Sequence, residues 1–258
     1  MSILLDEEAI HPPFPGLLAL EARAWVEFAA LVPALPWLRS APRGDGHPVL
    51  VLPGWLAGDR STRPLRWFLR DRGYHAHGWR LGINLGPDHH LIDGLARRFL
   101  ELRDRHQQKL TLIGWSLGGI YARELARHFA SDVRQVITLA SPFRDVAATS
   151  VGRLSRFGLL RGRSAAGAGR PPLDTPEMRE RLRTPPPVPS TAFYSRTDGI
   201  VAWQSCLEAE GPGRENVEVW SSHCGMGHHP GVLIAIAERL AQPPGRWRPL
   251  RPARAWPT

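Results

Sequence analysis

A serine set between glycines, three histidines in one loop and an aspartate in a turn are the residues of this chain whose types and spacing suit a nucleophile, a base and an orienting acid. Leu110-Thr111-Leu112-Ile113-Gly114-Trp115-Ser116-Leu117-Gly118-Gly119 reads as an apolar strand running into a glycine-flanked serine and then a helix. A serine on such a sharp turn stands clear of its own strand, and Gly114 and Gly118 leave room for neighbouring backbone. An unactivated serine is a poor nucleophile, so a base must lie within reach. The segment Ser221-Ser222-His223-Cys224-Gly225-Met226-Gly227-His228-His229-Pro230 offers three histidines. Asp198 sits in the turn after the run Thr191 to Ser195, and Asp145 follows the run Ile137 to Ala140. Together such groups perform acyl transfer: the imidazole takes the serine proton as the hydroxyl attacks a carbonyl, and the carboxylate fixes the imidazole tautomer. The Leu117 amide, directly after the serine at the positive end of a helix, is one donor for the oxyanion that forms.

These residues need a scaffold, and the chain supplies an alternating one. Apolar, β-branched runs recur at Pro48 to Leu52, Leu110 to Gly114, Gln135 to Leu139, Thr191 to Ser195 and Val217 to Ser221, with Tyr74 to Trp79 as a further strand. Between them Ser61 to Arg72, Leu91 to Gln107, Leu117 to Ala130 and Gly231 to Ala241 carry helical periodicity, with Asp88 as a cap. The alternation predicts an α/β domain: a mostly parallel central sheet with helices on both faces. With 258 residues and 43% hydrophobic content, one domain spanning 1–258 is expected. Residues 143–189, with nine arginines against four acids, break the alternation and predict a lid or cap insertion. Residues 243–258 form a Pro/Arg-rich tail that wraps the surface or stays disordered.

The strand–serine–helix arrangement, the late aspartate and the histidine loop resemble an α/β-hydrolase over roughly Pro48 to Ala241, and most of all the small bacterial lipases and esterases. The resemblance implies the chain order Ser, Asp, His, and hence Ser116 as nucleophile, Asp198 over Asp145 as acid, and His223 as base, with His228 and His229 capping or lining. By the family's loop after the first strand, Pro53-Gly54-Trp55-Leu56, it also implies the Trp55 amide as the second oxyanion donor, although Pro53 stands where many relatives carry histidine. Cys206 and Cys224 would fall in neighbouring loops that some bacterial lipases bridge. A disulfide and two thiols both stay open, and a reducing compartment favours thiols.

Composition narrows the partners. The net charge of +9 is carried almost wholly by arginine, Lys109 being the one lysine among 33 basic residues, and no zinc-finger, RNA-recognition or basic-helix pattern accompanies it, so nucleic acid is not expected. An anionic membrane surface or an acidic acyl carrier protein remains a fitting peripheral partner. Residues Met1 to Pro15 carry Asp6, Glu7 and Glu8 instead of a basic start and apolar core, so a secretory signal is not read and a cytoplasmic location is expected. The run Leu17 to Val32 is interrupted by Glu21, Arg23 and Glu27, each costing roughly 2.5 to 3.5 kcal/mol at a bilayer centre. It predicts an amphipathic helix lying on the domain or on a membrane surface and ending near Pro33 and Pro36.

No dinucleotide fingerprint or phosphate loop is present, and neither His75/His77 nor His89/His90 has matching ligands, so neither cofactor nor metal is expected. Trp55, Trp115 and Trp203 each neighbour a candidate site residue and could wall an apolar acyl pocket, while most of the ten tryptophans read as core. The expected activity is cleavage of a small-molecule carboxylic ester through an acyl-enzyme on Ser116. Two alternatives stand beside it: an esterase, thioesterase or acyltransferase working on carrier-bound acyl groups, and a catalytically silent α/β-hydrolase-fold binding module.

Overall fold

A computed structural model describes residues 10–150 and 175–250. Six strands form one sheet: β1 (Pro48–Leu52), β2 (His75–Gly78), β3 (Leu110–Trp115), β4 (Val133–Leu139), β5 (Ser190–Tyr194) and β6 (Arg214–Glu218). Their order is β2-β1-β3-β4-β5-β6, and every neighbouring pair is parallel. Parallel neighbours require crossover connections, and the helices provide them. In chain order the helices are α1 (Pro15–Ala19), α2 (Ala24–Ala29), α3 (Leu35–Ser40), α4 (Arg63–Asp71), α5 (His89–His106), α6 (Leu117–His128), α7 (Pro176–Arg183) and α8 (Pro230–Leu240).

Side-chain alternation along the strands divides the core in two. Val49 and Val51 of β1, Ile113 of β3 and Ile137 of β4 pack with Leu38 of α3, Leu65 and Phe68 of α4 and Val232 to Ala237 of α8. Their strand neighbours Leu50, Leu52, Leu112 and Val136 face the other way, onto Leu95 and Phe99 of α5 and Tyr121 and Leu125 of α6. Helices therefore cover both faces, as the alternating sequence predicted. Each such apolar side chain contributes roughly 1.5–3 kcal/mol by leaving water. Asp88 caps α5 by accepting from Leu91 N–H at 2.7 Å.

Three expectations need correction. The last strand is Arg214–Glu218, three residues earlier than its apolar pattern suggested. As the sheet edge, β6 needs no apolar face on its outer side, and its polar residues are held individually: Glu215 pairs with the buried Arg239 and accepts from Leu250 N–H at 2.8 Å. The run Leu17 to Val32 is not one helix but α1, a 3-10 turn (Leu20–Arg23) and α2, and Pro36 lies in the first turn of α3 where an ending was expected. Proline has no N–H to lose at that position, so it starts a helix as readily as it ends one. The same run is also inverted in polarity. Leu18, Leu20, Trp25, Val26, Phe28 and Val32 are exposed, while Glu27 is buried and Glu21 and Arg23 are half-buried.

The expected insertion at 143–189 is described only at its flanks. Its centre, 151–174, lies outside the described residues, whereas α7 packs through Leu182 against Ile120 and Phe143. Arg123 of α6 is fully buried and joins this region, donating to Leu182 O at 3.1 Å and Thr184 O at 3.0 Å while paired with Glu208. Of the tail, 243–250 runs along the surface, where Arg239 Nη1 donates to Arg248 O at 2.9 Å. Residues 251–258 lie outside the described residues. Among the described residues no helix is long and apolar enough to cross a membrane.

Candidate active site

Parallel strands deliver their C-terminal ends to one edge of the sheet, and the candidate residues follow those ends. Ser116 directly follows β3 with φ 53° and ψ −122°, a left-handed conformation that a non-glycine residue holds only under strain from its surroundings. Its amide donates to Leu139 O of β4 at 2.8 Å, which pins the turn. A side chain at Gly114 would collide with Gly118 O, and one at Gly118 would collide with Leu52 O and Pro53 O. The two glycines thus allow the strand, the helix and the loop after β1 to meet around the serine.

The acid and base candidates converge from β5 and β6. Asp198 Oδ2 lies 2.8 Å from His223 Nδ1, and both side chains are buried. The other Asp198 oxygen, Oδ1, accepts the amides of Ile200 and Val201, each at 2.8 Å, so the carboxylate is aimed by its own turn. Asp145 is used elsewhere, accepting from Ala147 N–H at 2.9 Å. His228 Nε2 pairs with Ala24 O at 3.0 Å, and His229 caps α8 by accepting from Gly231 N–H at 3.2 Å. Trp115 Nε1 donates to His223 O at 3.1 Å, joining the residue before the serine to the histidine loop. Among the described residues neither Ser116 Oγ nor His223 Nε2 has a hydrogen-bond partner, which leaves both atoms available to a substrate. Serine–histidine bonds of this kind commonly tighten only in the bound complex.

Electrostatically the imidazole is pulled two ways. Burial lowers its proton affinity, but the charge and hydrogen bond of Asp198, with the charge of Glu21 behind them, outweigh this, and the pKa is raised above the ordinary histidine value. Neighbouring Cys224 is also affected: although the residue as a whole is exposed, partial burial of its thiol and the charge and hydrogen bond of Glu21 push it up to about 12. Both cysteines are free thiols, Cys206 buried and Cys224 exposed, so the loops are not joined by a disulfide.

The loop after β1 sits against the serine. A side chain at Gly54 would lie 3.2 Å from Ser116 Cβ and 3.4 Å from Trp115 O. Leu56 N–H donates to Asn84 O at 2.7 Å and Ala57 N–H to Gly54 O at 3.2 Å, while among the described residues the Trp55 amide has no acceptor. Asn84, fully buried, holds this loop from outside the expected site: its Nδ2 donates to Pro53 O at 3.0 Å and its own amide to Ala57 O at 2.8 Å. Nothing in the aperiodic stretch around Asn84 marks it in the sequence. Trp203 stacks on Tyr194 and under Arg196, a packing role.

A second missed group comes from the early helices. Glu21 Oε1 accepts Gly199 N–H at 2.8 Å and His223 N–H at 3.0 Å, and Oε2 accepts Cys224 N–H at 2.9 Å. Glu27 accepts Ser222 N–H at 2.8 Å and Ser222 Oγ–H at 2.5 Å. Arg23 donates to Thr197 O at 3.1 Å and to its hydroxyl at 2.5 Å. In the sequence these three charges only interrupt an apolar run, a pattern that predicts an amphipathic helix without telling which side meets the domain. Among the described residues no group of three His, Cys, Asp or Glu side chains is placed to hold a metal ion.

No family model matches the chain, and no curated protein does. Solved structures do resemble it. A lipase of Bacillus licheniformis in its mature form superposes with a TM-score of 0.55 at 17% identity, over 79% of this chain and 95% of that one. Lipase B of Aspergillus fumigatus gives 0.58 at 14% identity over 79% of this chain, which spans only 54% of that longer protein. A pyrethroid hydrolase of Sphingobium faniae gives 0.51 at 22% identity, over 77% and 98%. What these proteins share with the chain at such identities is the architecture. The chain has the α/β-hydrolase fold.

Proposed function

We propose that the chain is a serine hydrolase that cleaves a carboxylic ester through an acyl-enzyme, with Ser116 as nucleophile, His223 as base and Asp198 as the orienting acid. The observation that carries this reading is the 2.8 Å pair of Asp198 Oδ2 and His223 Nδ1 at the strand edge that also holds the strained Ser116. In the first half-reaction Ser116 Oγ attacks the ester carbonyl while His223 Nε2 takes its proton; the tetrahedral oxyanion is held by the amides of Trp55 and Leu117. The intermediate collapses as His223 returns the proton to the departing alcohol. Water then repeats the sequence on the acyl-enzyme, releasing the acid and regenerating Ser116.

The substrate side of the reading is an apolar ester. Trp55 and Leu56 on the oxyanion loop, and Ile83 and Leu85 on the segment joined to it through Asn84, are all exposed. Apolar side chains grouped this way beside a site suit a hydrophobic ligand. The named activities of the structural neighbours, lipases and a pyrethroid hydrolase, are of the same chemical kind. A panel of p-nitrophenyl esters from acetate to palmitate, with wild type and Ser116→Ala in parallel, tests it. Turnover over a restricted chain length, reduced about 10⁴-fold or more in the variant, is expected. Equal turnover by both proteins would overturn the assignment of Ser116.

A further inference from the structure

We propose that Glu21 is a positioning residue of this site: its single carboxylate holds the turn that carries Asp198 against the turn that carries His223. The inference rests on the reading of Asp198 and His223 as acid and base, and its geometry is independent of any substrate. One oxygen is shared between Gly199 N–H at 2.8 Å, on the residue after Asp198, and His223 N–H at 3.0 Å; the other takes Cys224 N–H at 2.9 Å. Both loops would otherwise present these amides without a partner from the sheet, and hydrogen bonds to an ionised acceptor are roughly twice as strong as neutral ones. The separation of Asp198 from His223 is therefore set by a third segment that neither residue belongs to.

The surroundings are built for that contact. A side chain at Gly199 would collide with Leu17 O, and one at Gly225 would collide with the Glu27 carboxylate, so glycine at each position lets the early helices close on the loops. Arg23 on Thr197 and Glu27 on Ser222 fasten the same two loops to either side of Glu21. A segment that served only to cover the core would turn its apolar side inward; this one turns its charged side inward and leaves Trp25 80% exposed.

The charged and titratable groups that face His223 come from three elements. Asp198 lies in the turn after β5, Cys224 beside the histidine in its own loop, and Glu21, Arg23 and Glu27 on the early helices. Arg23 lies 3.4 Å from Glu27 and offsets it. Among the described residues Glu21 has no such cation, so its charge acts on the imidazole and on the Cys224 thiol without compensation.

Glu21→Gln keeps the shape but removes the charge and exchanges one accepting oxygen for an NH2 donor; Glu21→Ala removes the bridge altogether. Two readouts that need no substrate are the His223 titration followed by NMR and the rate of Cys224 alkylation at pH 8, read as site-specific labelling of the folded protein. Glu21→Gln is expected to lower the His223 midpoint and to speed Cys224 labelling. Ester turnover supplies the third readout. Glu21→Ala is expected to lose roughly 10- to 100-fold in kcat/KM, as misplacement of a catalytic group by about 1 Å does, while Glu21→Gln retains more of it with its acid limb moved to lower pH. Unchanged titration and labelling in Glu21→Gln, with an unchanged pH profile, would overturn the proposal even if Glu21→Ala fails to fold. If the titration and labelling move but no ester is turned over by the wild type, Glu21 positions the loops as proposed and the ester-hydrolase reading alone fails.

Discussion

Trp115 reaches past the serine that follows it and donates from its indole Nε1 to the carbonyl of His223 at 3.1 Å. The residue before Ser116 thus fixes the loop that carries the proposed base. Gly227 in the same loop would have a side chain 3.0 Å from the Trp115 ring, so the contact is one of packing as well as of hydrogen bonding.

Trp115→Phe keeps most of the ring contact and deletes the donor. A neutral hydrogen bond contributes about 0.5–1.5 kcal/mol, so the denaturant midpoint should fall slightly. Turnover should fall more than stability does, because the freed carbonyl belongs to the residue whose imidazole must be placed. Urea melts and kcat/KM measured on the same preparations check this; a loss confined to stability would count against the coupling.

The raised pKa of His223 gives activity and stability opposite pH dependences. As the proposed base, His223 must be neutral, so kcat/KM is expected to fall on the acid side with a midpoint above the ordinary histidine value of about 6.5. The folded protein holds that proton more tightly than the unfolded chain does. Its contribution to stability is then fully present below about 6.5 and is lost as pH rises through the folded-state value. A pH–rate profile alongside denaturant midpoints at each pH reads both, and an acid limb below 6 would contradict the electrostatics of the site.

Ser116→Gly should be inactive but more stable than wild type. The positive φ of 53° at Ser116 costs a side-chain-bearing residue about 1–3 kcal/mol and costs glycine far less. A raised melting temperature with complete loss of labelling by a serine-directed phosphonate is the expected result. A lowered melting temperature would mean that contacts of the serine side chain outweigh the strain.

How much was legible in the sequence differs from element to element for physical reasons. Strands β1, β3, β4 and β5 are buried on both faces, and their largely apolar or β-branched runs mark them in the sequence. Strand β6 is a polar edge on which Glu215 pairs with Arg239 and Glu218 with Arg196, so an apolar pattern placed it too late. The turn at Ser116 could be read because glycine spacing is a local property. The meeting of Asp198 with His223 came from the resemblance and is seen in the structure as a 2.8 Å pair. The inward charges of the early helices could not be read, since periodicity shows that a helix has two sides and not which of them meets the protein. Asn84 is beyond such reasoning altogether, because its role depends on a loop about thirty residues away in sequence meeting it in space.

The bond between Glu21 and the His223 amide spans 202 residues of chain. Contacts of such separation pay their loop-closure entropy late and form slowly unless intervening structure has already shortened the path. Here the intervening structure is the sheet itself, which must be complete through β6 before the histidine loop has a place to stand. Refolding should therefore recover the buried strands before the pairing of Asp198 with His223, and a newly made chain would pass through a stage with an ordered core and the Ser116 turn but without the Glu21 bridge. The contact that joins the early helices to the histidine loop is the last thing this architecture puts together, so a delay separates an ordered core from a finished strand edge.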